Sequence, residues 1–233
     1  NLLPFDWLEL RRYGFTLKGF KLLVLRFIQS YSFKDSDGVI FLTEYAKRAV
    51  LKVTGLLNAK TVIIAHGLSP QFQMSLKIQK PIKEYSESNP FRLIYVSAID
   101  QYKHQWHLIE AVHTLRVHGF PIVLELIGPA YPPSLARLQT AITKFDPEKI
   151  WVHYHGAVPY ESLHAVYAQA DLAVFASSCE NMPIILLESM ASGLPIACSS
   201  RGPMSEILGE TGLYFDPENS ADISRCLRKY INS

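Results

Sequence analysis

From Phe91 onward, apolar positions fall into two kinds of block. Apolar runs of strand length recur near 91–97, 121–127, 150–155, 171–176, 194–198 and 212–215. Between them, segments near 104–118, 133–144, 160–169, 183–192 and 219–231 have the length and spacing of amphipathic helices. Strands alternating with helices of this kind predict an α/β architecture, a parallel sheet whose neighbours are joined by crossover helices. In such open sheets ligands bind beyond the carboxyl ends of the strands. Lys103, Gly128, Gly156, Glu180 and the loop 199–202 all fall at such ends.

The first ninety residues read differently. The chain opens on Asn1, and residues 1–12 have no targeting character, so the start reads as the middle of a longer sequence. An apolar helical segment at 16–30 carries Lys18, Lys21 and Arg26. A strand at 38–42, a helix opened by Thr43 and running to about 53, and a strand at 61–65 form a βαβ pattern. The stretch 73–90 is polar, with Lys80, Pro81, Lys83, Glu84, Ser86, Ser88 and Asn89, and reads as a linker. Three units follow: an α/β remnant at 1–72, the linker, and a second α/β unit at 91–233. The segment 15–33 reads as core rather than as a membrane surface. Its longest apolar run is broken by Lys21 and Arg26 and is too short to span a bilayer.

Composition narrows the class only slightly. The 233 residues are 48% hydrophobic and 19% charged, ordinary values for a globular protein. A net charge of +2 gives no case for nucleic acid. Cys179, Cys198 and Cys226 are odd in number and lack C-x-x-C spacing, which points to reduced thiols in a cytoplasmic protein. No G-x-G-x-x-G follows any strand, so a dinucleotide-binding site has no direct support.

The chemistry concentrates at 179–195, CENMPIILLESMASGLP. A polar turn follows the apolar run 171–176, and Pro183 suits the first turn of a helix. The free N–H groups of Met182, Ile184 and Ile185 would then point from the positive end of that helix and hold a diphosphate. Glu188 lies five residues further on, about 7.5 Å along the axis. A ribose joined to that diphosphate would be within its reach.

The E-x(7)-E pair followed by SMASGLPI resembles the retaining GT-B glycosyltransferases of the family-four, or group 1, type. So do FRLIYVSAI at 91–99, YKHQ at 102–105, the run 124–128, HGAV at 155–158, the run 163–171 and GLYFDP at 212–217. The resemblance covers the chain from 91 onward in detail and the first ninety residues more loosely. It implies a double Rossmann-like fold of which the C-terminal, donor-binding half is present, with helices on both sheet faces. The implied activity is sugar transfer from a nucleoside-diphosphate sugar to a glycan, lipid-linked or small-molecule acceptor, with retention of configuration. That donor is a substrate rather than a cofactor, and no metal is implied. Glu180 would contact the donor sugar, Glu188 the ribose hydroxyls, and Lys103 the diphosphate leaving group. Gly128, Val158 and His66 fall at positions facing the donor cleft. The acceptor side would lie mostly upstream, and the fragment would bind donor without turning it over. A peripheral contact with the inner face of a membrane through the upstream domain stays open.

One departure stands out. The family's commoner pattern has an arginine about five residues before the lysine, where this chain has Ala98. Either His104, Arg201 or the helix N-terminus makes up the charge, or the donor is held more weakly. His153 and His155 share one strand face without a metal-ligand partner in sequence, and read as histidines packed near a sheet edge. Cys179 has no base partner and reads as a small half-buried residue. A nucleotide-sugar epimerase or phosphorylase on a related fold, and a non-catalytic nucleotide-sugar-binding module, are the alternatives.

Overall fold

The structure, a computed structural model, describes residues 2–74 and 78–232. Part of the expected linker, residues 75–77, lies outside the described residues. The elements run α1 (Trp7–Arg11), α2 (Leu17–Lys34), β1 (Gly38–Phe41), α3 (Glu44–Thr54), β2 (Lys60–Ile63), β3 (Phe91–Val96), α4 (Gln105–Val117), β4 (Ile122–Ile127), α5 (Pro132–Phe145), β5 (Val152–Tyr154), α6 (Leu163–Gln169), β6 (Leu172–Phe175), α7 (Ile184–Ala191), β7 (Ile196–Ser199), α8 (Met204–Leu208), β8 (Leu213–Phe215) and α9 (Ser220–Ile231). The six strands expected after residue 91 form one parallel sheet in the order β5-β4-β3-β6-β7-β8. β1 and β2 pair in parallel as a separate two-stranded sheet.

Burial explains why the larger sheet reads as unbroken apolar runs. Every residue of β6 and β7 is buried, so both sheet faces are covered, as parallel sheets require. Branched and aromatic side chains from β3, β4, β6 and β7 interlock there with α4, α7 and α9 in one core. A second cluster joins Leu2, Leu3, Phe5 and Leu10 to Val39, Phe41 and Val50, and it includes Tyr102 and Cys179. The early segment therefore packs on the carboxyl-end loops of the larger sheet. Phe72, fully buried, belongs to the main core, where its ring meets Tyr160 and Tyr167 edge-on at 5.5 and 5.7 Å.

Topology sets the site. The chain builds outward from β3 to β4 and β5, then returns to β6 beside β3 and builds the other way. The loops after β3 and β6 come together at that reversal, the place where open sheets of this kind bind ligands.

Two expectations need correction. Segment 15–33 is not core along its length: of α2 only Gly19 and Leu22 are buried, while Leu17, Phe20, Phe27, Ile28 and Tyr31 are exposed. One stripe of the helix packs on the turn Leu3–Phe5, on α3 and on α1, and nothing among the described residues covers the other. The short helices α1 and α8 are additional; at five residues each they are too short to show a periodicity. α1 is fixed by Asp6, whose carboxylate accepts the N–H groups of Leu8 and Glu9 at 3.0 and 3.2 Å. Within the stretch read as a linker, Tyr85 donates its hydroxyl to Asp171 at 3.0 Å.

Asp146 shows how a buried carboxylate starts a strand. At the end of α5 it accepts the N–H groups of Ile150, Trp151 and Val152 at 2.9, 2.9 and 2.8 Å, and it is 3% exposed. Removing it leaves buried donors unpaired, at roughly 1–3 kcal/mol each. Asp146→Ala is expected to lower the unfolding free energy in urea by about 3 kcal/mol or more. A loss below about 1 kcal/mol would show that water replaces the carboxylate there.

Candidate active site

Two loops meet at the reversal of strand order. After β3, Asp100 caps a single 3-10 turn, Gln101–Lys103, by accepting the Gln101 N–H at 2.8 Å. His104 then adopts a left-handed backbone, φ 53°, which turns the chain into α4. Tyr95 in β3 donates its hydroxyl to the Lys103 carbonyl at 2.9 Å. The lysine is thereby held toward the loop after β6. There its ammonium pairs with Glu180 Oε1, and Ser177 donates its hydroxyl to the same oxygen at 2.6 Å. The ammonium also lies 4.8 Å from the Phe175 ring and 5.0 Å from the Tyr102 ring. Lys103 is 5% exposed and Glu180 9%. The Ser178 N–H donates to Tyr102 O at 2.8 Å and ties the two loops together.

The neighbours of this pair settle two sequence questions. Cys179 is fully buried rather than half-buried, and burial, with Asp6 and Glu180 nearby, pushes its thiol well up. It is inert as a nucleophile near neutral pH. His104 supplies no compensating charge for Ala98: burial, reinforced by Arg12, lowers it to about 3. Its Nε2 stands 2.8 Å from Ser178 Oγ, whose hydroxyl donates to Tyr102 O at 3.2 Å. That leaves Nε2 as the imidazole donor and Nδ1 as a buried acceptor without a hydrogen-bond partner.

Helix α7 starts one residue later than expected. Pro183 is the N-cap of α7, with extended backbone (φ −74°, ψ 107°), and its carbonyl accepts the Leu186 N–H at 3.0 Å. Ile184 and Ile185 are the first two helical residues. Met182 lies before the cap, and its sulfur accepts the N–H of exposed His66 at 3.4 Å, which brings residues 66 and 182 together.

Glu188 sits apart from Lys103 and Glu180. It is 1% exposed and accepts the Tyr167 hydroxyl at 3.1 Å. Burial raises its carboxyl above the usual range, and hydrogen bonds from Tyr167 and Tyr160 oppose the rise. Gly128 has φ 141°, and a Cβ there would stand 2.3 Å from Ser97 O, so only glycine fits. Val158 lines a groove of about 260 Å³ with Ile127, Val166 and Arg92. Arg201 is already engaged, donating to Asp216 at 2.9 Å and Glu218 at 2.8 Å. His153 and His155 lie on and just after edge strand β5, and both meet Glu125 of β4, at 3.2 and 2.6 Å. Sequence spacing could not show that partner, which arrives through strand pairing. Sequence reasoning also missed Ser177, Tyr167 and Glu218. Ser177, three residues before Glu180, was the one within local reach.

The family model "Glycosyl transferases group 1" matches residues 77–233. Over 74 residues the chain is 38% identical to the O-antigen chain mannosyltransferase B of Escherichia coli, covering 32% of this chain and 19% of that protein. Over 148 residues it is 28% identical to the amylovoran biosynthesis glycosyltransferase AmsK of Erwinia amylovora, covering 61% and 34%. The chain thus spans about a third or less of these two relatives. The solved structure of Anabaena Alr3699/HepE in complex with UDP-glucose superposes with TM-score 0.72 at 18% identity, over 95% of this chain and 60% of that one. Sucrose-phosphate synthase from Thermosynechococcus elongatus gives 0.71 at 18% identity, over 95% and 56%. At these identities the structural likeness shows the fold.

Breaking a buried ion pair from one side strands a charge. Glu180→Ala is therefore expected to destabilise the chain by about 3–5 kcal/mol in chemical denaturation. Lys103→Met combined with Glu180→Gln removes both charges and should recover most of that loss. A double variant as unstable as the single one would show that packing, rather than charge, accounts for the effect.

Proposed function

The chain belongs to the group 1 glycosyl transferases, and from that premise we propose that its parent protein transfers a sugar from a nucleoside-diphosphate sugar to an acceptor with retention of configuration. The observation that carries this reading is the buried Lys103–Glu180 pair at the strand-order reversal. A cation and a carboxylate held side by side suit a leaving diphosphate and a sugar that gains positive charge. UDP-glucose in the Anabaena neighbour supports a donor of the same class here. Likeness to a mannosyltransferase makes mannose the first sugar to test.

Each residue then has a role. Lys103 and the N–H groups of Ile184 and Ile185, beyond the Pro183 cap and Met182, neutralise the diphosphate. This stabilises the leaving group most as the glycosidic bond lengthens, and only such differential binding speeds the chemical step. A departing phosphate oxygen takes the proton of the acceptor hydroxyl. Glu180, steadied by Ser177, faces the sugar. Glu188 takes the ribose hydroxyls, with Tyr167 orienting its carboxylate. Gly128 and Val158 line the base side and His66 the opposite wall, next to Met182. The α7 N-terminus, rather than the paired Arg201, compensates for Ala98.

The division into a 1–72 acceptor-side remnant, a 73–90 linker and a 91–233 donor domain is part of this proposal. So is the inactivity of the 233-residue chain, which spans about a third or less of the two mannosyltransferase and amylovoran relatives. It binds donor and does not turn it over.

The two glutamates separate in one experiment. Calorimetry with UDP, GDP and ADP identifies the diphosphate that binds. Glu188→Ala, and Glu188→Gln which keeps a partner for Tyr167, should weaken that binding by about 1.5–3 kcal/mol. Glu180→Gln, which keeps a polar partner for Lys103, should affect that binding far less and sharply lower turnover of the full-length parent. If both glutamates affect the free diphosphate alike, the map of the site is wrong. Transfer catalysed by the 233-residue chain alone would overturn the claim of inactivity.

A further inference from the structure

The carboxylate read as the ribose partner is covered in this structure. Glu188 is 1% exposed, so a ligand reaches it only after a neighbour moves. Two phenols are hydrogen-bonded to it, those of Tyr167 and Tyr160. Tyr167 is itself buried and packs edge-on against Phe72 at 5.7 Å, inside the main core. Tyr160 is 44% exposed and stands on a single 3-10 turn, Tyr160–Ser162, in the loop that follows β5. Its ring meets the edge of Phe72 at 5.5 Å. Moving Tyr167 would open the core, whereas Tyr160 can swing into solvent and leave its hydroxyl hydrogen-bonded to water. Tyr160 is therefore the cover that moves.

The surroundings of the Tyr160 hydroxyl suit a sugar hydroxyl equally well. Besides Glu188, it faces the side chain of Gln71. Gln71 belongs to the turn Pro70–Phe72, which is fastened to the end of α7: Ser192 donates its hydroxyl to Phe72 O at 3.4 Å, and the Met74 N–H donates to Ala191 O at 3.2 Å. The amide is thus held beside Glu188 from a separate part of the chain. Its Nε2 is buried and has no hydrogen-bond partner of normal geometry among the described residues. A buried donor in that state is costly, and an acceptor that reached it squarely would be favoured. Phenol and alcohol hydroxyls have the same capacity, one donated bond and two lone pairs. A ribose hydroxyl in the phenol's place would donate to Glu188 and accept from Gln71.

We propose that the Tyr160 hydroxyl holds the place of a ribose hydroxyl between Glu188 and Gln71, and that nucleotide binding exchanges the one for the other. The proposal rests on the transferase reading and adds Tyr160 and Gln71 to its donor site. Before the exchange the phenol keeps a buried carboxylate satisfied, which would otherwise be costly. Tyr160 lies two residues after Val158, so in that reading one loop meets both the base and the ribose.

The test is calorimetry on the 233-residue chain with UDP, GDP and ADP, each compared with the form that lacks both ribose hydroxyls. The wild-type chain is expected to prefer the ribose form. Tyr160→Phe keeps the ring against Phe72 and removes only the competing hydroxyl, so it should bind the ribose form about fivefold more tightly and the dideoxy form as before. Gln71→Leu should bind the ribose form about fivefold more weakly, again with the dideoxy form unchanged. Both variants should melt close to wild type, and if one melts early the other carries the test. Unchanged ribose affinity in either folded variant, weaker ribose binding by Tyr160→Phe, or equal shifts for the two forms would each overturn the exchange. A wild-type chain that binds a diphosphate without preferring ribose would instead overturn the role of Glu188, and one that binds no nucleoside diphosphate would overturn the transferase reading beneath it.

Discussion

A lysine and a glutamate buried against each other across the strand-order reversal fix the geometry of everything around them. Each charge would be costly to bury alone. Together, with a serine hydroxyl on the carboxylate and aromatic rings beside the ammonium, they are satisfied. The pair can exist only if the loops after β3 and β6 approach closely, and the Ser178 to Tyr102 hydrogen bond holds them there. The early segment packs over the result through Tyr102 and Cys179. The same contacts bury the site and join the two parts of the chain.

Further cross-links reinforce that junction. Asp100 accepts the Tyr13 hydroxyl at 2.9 Å and pairs with Lys18 at 2.7 Å, and the Lys18 ammonium lies 3.9 Å from the Tyr131 ring. Glu206 accepts the first two N–H groups of α3 at 2.7 and 2.8 Å, and Thr43 donates to Asn181 O at 2.9 Å. Loops that carry the proposed donor groups thus also bind the early segment.

Local pattern revealed much of the fold and less of the site. The six strands from β3 to β8 and the helices between them were legible because each is a buried apolar run or an amphipathic repeat bounded by Gly, Pro or polar turns. Lys103 and Glu180 were placed by pattern at strand ends, where the structure pairs them, whereas the E-x(7)-E signature was read through a resemblance. What stayed hidden depends on contacts distant in sequence. Nothing local shows that Glu125 will meet His153 and His155 across a strand pair, that Glu218 will bridge Arg12 and Arg201, or that Tyr167 will donate to Glu188. The exposed stripe of α2 misled for the opposite reason: its apolar residues promise burial, but the described residues cover only the side around Gly19 and Leu22.

The central claim is that Lys103 supplies positive charge to a diphosphate. The direct measurement compares the affinities of a nucleoside and its diphosphate, by calorimetry, for the wild-type chain and for Lys103→Met combined with Glu180→Gln, a variant that leaves no stranded charge. The account predicts that the diphosphate loses about tenfold or more while the nucleoside is unaffected. Equal affinities of the folded variant and the wild type for the diphosphate would contradict it.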